Sequence, residues 1–369
     1  MNKKLIALAV AGVISGYGAA ANAATTVSGF AVVDYVLTKD ASGAANGCTP
    51  TASLTCNNSS EGKFGAEGEV DVIHQATDSV TVRMDVDLSL AGTDGAADSA
   101  DLEQVFFAWD LAPVTLIAGV FNNPIGQEAE DSADWNFVTE SMIRSALDNQ
   151  TALHGNNVAG LAVAGAVGPV TLTGALLNHI SSTNNGNEEN SIALVANYSP
   201  VPGLDLELGT VTQESETDGI TTVGDVENVG DVMNFNAQYA LPMVAGLTVG
   251  LDYATFDEIV DTSHNLWAQY AIPNTKFSVG VRLEELSWVA YGGATAANEV
   301  ERTSFTASYK AANNLKIALE VSDGDGAGCL ASAPAVPAGT GCNLDHANAN
   351  AITGVSTDAM TKLKFVATF

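Results

Sequence analysis

The residues Val80-Thr81-Val82-Arg83-Met84-Asp85-Val86-Asp87-Leu88-Ser89-Leu90 alternate apolar and polar side chains without a break. Successive side chains of a β-strand point to opposite faces, so this stretch forms a strand with one oily and one charged face. Working outward, the same unit recurs. Upstream lie Lys63 to Gln75 and Thr26 to Thr38; downstream lie Asp101 to Leu111, Val114 to Phe121, Asn157 to Val167, Val170 to Ile180, Ser191 to Tyr198 and Leu204 to Gln213. Val232 to Leu241, Leu247 to Phe256, His264 to Ile272, Lys276 to Trp288, Val300 to Lys310, Leu315 to Ser322 and Thr357 to Phe369 complete the set. The reading is all-β, with about sixteen strands.

Short and long connections take turns along the chain. The short ones carry turn residues such as Ala112-Pro113, Gly168-Pro169, Pro273-Asn274 and Asn313-Asn314; the long ones begin after residues 38, 90, 121, 180, 213, 256, 288 and 322. A membrane barrel has that asymmetry between its two rims, whereas a sandwich or solenoid has no reason for it. The oily face then looks outward to lipid and the charged face into the lumen, the reverse of a soluble sandwich. Tyr35, Trp109, Tyr198, Tyr239, Tyr253, Tyr270 and Tyr309 sit near strand ends, where interfacial aromatic girdles form.

The first 23 residues (MNKKLIALAVAGVISGYGAAANA) have two lysines, an apolar run and a small-residue ending, the pattern of a cleaved secretory signal. Domain organisation is thus a signal peptide over 1–23 and one barrel over 24–369. The formal net charge is −30, and it becomes more negative once Lys3 and Lys4 leave with the signal. So acidic a chain excludes nucleic acid as a partner. At 46% apolar residues it is not a disordered acidic chain either. In an exported chain the local pairs Cys48 with Cys56 and Cys329 with Cys342 read as loop disulfides. No metal site is read from them, since neither pair has CxxC form or a histidine at ligand spacing.

The longest break in the alternation, Asn122 to Gly155, is read as a structureless acidic segment carrying Glu128, Glu130, Asp131, Asp134, Glu140 and Asp148 beside one base, Arg144. A connection of that length in a compact domain is usually functional, and a hollow barrel gives it a place to lie. Between Met84 and Thr275, Arg144 is the single base; the others flank that span. In a closed barrel the flanks become one wall, and period two puts Arg83, Arg282, Arg302, Lys310, Lys316, Lys362 and Lys364 mainly on its lumenal side. The expectation is that Glu128, Glu130, Asp131 and Asp134 face a basic wall across water.

The chain ends Lys362-Leu363-Lys364-Phe365-Val366-Ala367-Thr368-Phe369, with Leu363, Phe365, Ala367 and Phe369 on one face. A signal peptide, alternating strands and a last strand ending in Phe resemble the Gram-negative outer-membrane porins. The run Gly119-Val120-Phe121-Asn122-Asn123-Pro124-Ile125-Gly126-Gln127-Glu128 is similar to a passage of the wider porin-like families. The resemblance implies a homotrimeric, water-filled channel for ions and small hydrophilic solutes, set in outer-membrane lipid. It also implies that Phe369 signals to the barrel assembly machinery, and that the acidic segment is an inward-folded constriction loop after strand five. The large negative charge favours cations. A substrate-selective channel, a non-conducting surface or sheath barrel and a secreted β protein remain as alternatives.

No catalytic signature is present: His74, His154, His179, His264 and His346 are scattered, and HExxH, G-x-S-x-G and Walker loops are missing. No cofactor is expected. Asp323-Gly324-Asp325-Gly326 has the spacing of calcium-loop carboxylates without the distal Glu, and is read as a surface loop.

Overall fold

The computed structural model describes residues 24–41, 59–89, 99–126, 128–129, 131–150, 156–178, 180, 190–212, 231–257, 260–288, 298–327 and 359–369. The signal sequence, Glu130, Cys48, Cys56, Cys329 and Cys342 lie outside the described residues. The strands are β1 Thr25–Ala41, β2 Ser59–Thr77, β3 Val80–Ser89, β4 Ser99–Asp110, β5 Val114–Asn122, β6 Asn157–Val167, β7 Val170–Leu177 and β8 Ser191–Val201. They continue as β9 Leu204–Val211, β10 Val232–Ala240, β11 Leu247–Phe256, β12 Val260–Ala271, β13 Phe277–Trp288, β14 Asn298–Ala312, β15 Leu315–Ala327 and β16 Met360–Thr368.

Each strand pairs antiparallel with its sequence neighbours, and β1 closes on β16 to make a barrel without edges. The predicted strands are all present. At the seam Val32 lies opposite Val366 and Asp34 opposite Lys364, while the Phe369 amide donates to the Gly29 carbonyl at 3.0 Å. Glycine is required at 29: a Cβ there would lie 2.1 Å from the Glu69 carbonyl oxygen and 2.8 Å from the Phe369 ring.

Asp323-Gly324-Asp325-Gly326 is not a loop; it is the far end of β15, with Asp323 opposite Thr303 and Asp325 opposite Glu301. The long β14 supplies ladder partners there, and paired backbone outweighs the local preference of Gly and Asp for turns.

The two faces separate as alternation demands. Phe64, Leu102, Leu194, Met233 and Phe305 all stand outward and are more than half exposed. Their inward neighbours, among them Glu69, Asp85, Asn234, Arg282, Glu284 and Glu320, are buried. A soluble protein does not carry so broad an exposed apolar surface; a closed barrel oily outside and charged inside is transmembrane. Trp109 and Tyr198 are exposed near the rim made by the short turns, and Tyr309 stacks on Phe277 with ring centres 4.9 Å apart. Among the described residues no helix is long and apolar enough to cross a membrane.

Candidate functional site

The chain between β5 and β6 turns into the lumen instead of over the rim. Its ends are held together where the Asn123 amide donates to the Asn156 carbonyl at 2.9 Å. It is not structureless, as the sequence reading had it: a 3-10 turn covers Ser132–Asp134 and a helix, α1, covers Met142–Gln150. Met142, Ile143, Ala146 and Leu147, spaced as one helical stripe, are fully buried. They join a cluster with Phe121, Leu177, Val211, Phe256, Leu286 and Val300, inward-facing residues of the wall. This apolar seat holds α1 against the inside of the barrel. Further back, Ile125 fills the notch left by Gly209, where a Cβ would lie 2.5 Å from the Ile125 Cγ2.

An irregular backbone brought into a barrel must satisfy its buried N–H groups. The wall supplies carboxylates for this. Glu207 accepts from the Gly126 amide at 3.2 Å. Glu320 accepts from the Val138 amide at 2.6 Å, the Thr139 amide at 3.3 Å and the Thr139 hydroxyl. Glu284 accepts from the Met142 amide at 2.8 Å, placing a negative charge at the N-terminus of α1, where the helix dipole favours it. Ser141 caps the same end through the Arg144 amide, 3.2 Å from its hydroxyl. Glu67 accepts from the Ser132 hydroxyl.

The basic wall meets the segment directly, without the intervening water expected from sequence. Arg282, 1% exposed, donates to the Thr139 hydroxyl at 2.7 Å and to the Glu140 carbonyl at 3.2 Å. It also lies 3.0 Å from Glu284, 3.5 Å from Glu128 and 4.7 Å from the Phe137 ring centre. Arg302 bonds Glu284 at 2.7 Å and reaches the Glu140 carbonyl. Lys316 and Lys364 donate to the carbonyls of Ala133 and Ser132 at 3.1 and 2.7 Å. These cations therefore grip carbonyls and wall acids more than the segment's own carboxylates. Arg83 is held by Asp71 and Asp85, and Lys362 by Asp34 at 2.6 Å. Lys310 is exposed at the short-turn end of β14 and, among the described contacts, does not touch the segment.

The five described acids of the segment separate into different roles. Glu128 accepts from the Ser141 amide at 2.8 Å and approaches Arg282, so it braces the segment internally. Glu140 and Asp148 flank Arg144 at 3.6 and 3.9 Å, one turn to either side. Burial raises the Glu140 pKa despite the opposing pull of Arg144. Burial likewise raises that of Asp131. Asp134 is exposed, beside a small polar recess lined by Glu128, Asn136, Asp252, Asn265 and Arg282.

The sequence reading missed the anchoring role of Glu207, Glu284 and Glu320. The signal was present: each lies on the polar face of its strand in the alternation that selects Arg282 and Arg302. It also missed an acidic patch of the inner wall, Glu69, Asp71, Asp85, Asp87 and Glu103.

The barrel and its inward segment define a channel-like architecture, that of the porins. No family model and no curated protein sequence matches the chain. Among solved structures it is similar to Salmonella typhi OmpF in complex with daunomycin, at 12% identity and a TM-score of 0.66, covering 94% of this chain and 97% of that one. It is also similar to a loop-deletion mutant of OmpT, an outer membrane protein of Vibrio cholerae, at 12% identity and 0.57, covering 94% and 100%. A variant of the Rh. blastica porin matches at 13% and 0.54, covering 94% and 100%. The chain has the porin fold.

Proposed function

We propose that this protein is an outer-membrane diffusion channel that passes ions and small hydrophilic solutes, with a preference for cations. One observation carries the proposal: a closed barrel with an apolar exterior and a charged interior has a polar segment anchored across its lumen. A barrel of sixteen strands is too wide for side chains alone to fill, and larger barrels enclose aqueous paths. The inward segment is the natural constriction of such a path. With many lumenal acids and most lumenal cations already paired, the field in the remaining opening is negative, which favours cation entry. Export by the leader, an assembly signal at Phe369 and a trimer in outer-membrane lipid belong to the same proposal.

The test is single-channel conductance and reversal potential of the purified protein in a planar bilayer under a KCl gradient. Stable ohmic steps with a cation-selective reversal potential are expected. The seating of α1 in an apolar cluster inside the lumen favours a second reading, a barrel whose segment blocks passage. Silence from protein that is folded and membrane-extracted would select it.

A further inference from the structure

Beside Asp131 of the segment, β2, β3 and β4 bring five carboxylates to one patch of the inner wall. Glu69 lies directly opposite Asp87, and Asp71 opposite Asp85, two adjacent like-charge pairs. Like charges at directly opposed positions destabilise a sheet, so the patch needs a counter-charge. A register shift of β4 beside Asp85 buries both Glu103 and Gln104, which regular alternation would send to opposite faces. Such bulges re-aim side chains and recur at functional sites.

Arg83 meets only part of that need. It takes one oxygen of Asp85 at 2.6 Å and one of Asp71 at 3.2 Å, and Ser28 donates to the second oxygen of Asp71 at 3.0 Å. The Oδ1 of Asp85 and the Oε1 of Glu69 are left buried without a hydrogen-bond donor, on side chains 0% and 2% exposed. A buried carboxylate oxygen without a partner is costly unless something cationic meets it. Glu69, Asp71 and Asp85 each offer a ligand oxygen, all within 4.8 Å of one another, and Glu69, Asp87 and Glu103 do the same. Oxygens bound to Ca²⁺ at about 2.4 Å lie at most about 4.8 Å apart, whereas the shorter bonds of Mg²⁺ demand a tighter set. An all-carboxylate group without Cys or His does not select a softer metal.

We propose that Glu69, Asp71 and Asp85, extended by Asp87 and Glu103, form a binding site for a hard divalent cation of the calcium class in the lumen wall. The five ligands all lie on the barrel wall, with Asp131 of the segment against Glu69, and occupancy is measurable without conduction, so its failure leaves the channel proposal standing.

The experiment is calorimetric titration of full-length, detergent-extracted and folded protein with Ca²⁺. Wild type, Glu69→Gln, Asp85→Asn and Glu301→Gln are compared, with circular dichroism confirming the barrel in each. Glu301 belongs to the separate outer group of Glu285, Glu299 and Glu301, so its variant reports binding at that face. Wild type should bind Ca²⁺ more tightly than Mg²⁺. Glu69→Gln and Asp85→Asn should each weaken binding beyond the ~10–100-fold typical of losing an outer-shell partner, and Glu301→Gln should not change it. Glu69→Gln relieves like-charge repulsion, so its metal-free barrel should fold at least as well as wild type; Asp85→Asn also removes the charge that meets Arg83 at 2.6 Å, so its binding is read on the folded fraction. No binding to folded wild type, or binding undiminished in both inner variants, would overturn the proposal.

Discussion

Glu320 is the strongest single tether between the wall and the lumenal segment. It is 1% exposed, accepts from two successive amides and one hydroxyl of Val138 and Thr139, and lies 3.8 Å from Arg282. Glu320→Gln keeps a carbonyl oxygen for the amides and an amino group for the hydroxyl, so it removes mainly the charge assistance. Hydrogen bonds to ions are about twice as strong as neutral ones, and the loss is about 1–2 kcal/mol. Glu320→Ala leaves both amides buried without acceptors, a loss of about 3–5 kcal/mol. Because 1.4 kcal/mol is tenfold in an equilibrium, local opening of residues 136–141 should rise about 5- to 30-fold in the first variant and more than about 100-fold in the second. Amide hydrogen exchange read by mass spectrometry on the folded barrel measures this, with peptides from β6 to β9 as the unchanged control. Protection of 136–141 that is the same in Glu320→Ala as in wild type would refute the anchoring role, whatever the channel conducts.

The remaining predictions concern selectivity, seating and closure. Replacing Glu128, Glu130, Asp131 and Asp134 together with Gln or Asn should lower cation preference, read as a smaller reversal potential; no change would remove them from the conducting path. Because burial raises the Asp131 pKa, its charge should disappear, and cation preference fall, at a pH above the usual carboxylate range, and Asp131→Asn should flatten that limb of the profile. The sign for stability follows from the same shifts. Raised values at Asp131 and Glu140 mean that the folded segment holds protons the unfolded chain has released. Their contribution is therefore complete below the ordinary carboxylate range and is lost as pH rises through the raised values, which hydrogen exchange of the segment across pH would show. Gly209→Val should overpack the Ile125 notch by about 1–3 kcal/mol and loosen the segment while the barrel still forms. Removing Phe369 deletes the amide that bonds Gly29 and the ring packed over it; the fraction of heat-modifiable, closed barrel should fall, and an unchanged fraction would deny it a role in closure.

The barrel was legible because one physical constraint governs every strand. Lipid outside and water inside force the same period-two pattern on each, and the pattern in Val80 to Leu90 is repeated along the chain. Strand ends were less legible. The ladder of β14 and β15 continues to Ala327, through Asp-Gly pairs whose local preference points to a turn, because the decisive partner lies on another strand. Helix α1 was hidden for a related reason: nine residues give barely two turns of pattern, and their stability comes from the wall cluster, not from the helix itself.

The charge layout was legible as a count and illegible as chemistry. Alternation puts Arg282, Arg302, Lys316 and Lys364 on the polar faces of their strands, and composition marks the segment as acidic, which together point to an acid-to-base field. But a strand's inner face carries acids and bases together, and Glu284 and Glu320 stand beside the arginines that they neutralise. An irregular backbone inside a barrel presents N–H donors and C=O acceptors in equal number. The wall therefore answers with both signs, carboxylates to amides and lysines to carbonyls, as at Val138 and Ser132. Side-chain charges that remain unpaired after this matching are the ones left to act on a passing ion, so selectivity depends on residues that do not hold the segment. By that criterion the buried arginines of the basic wall, already matched to Glu284 and to the Glu140 carbonyl, contribute little to permeation.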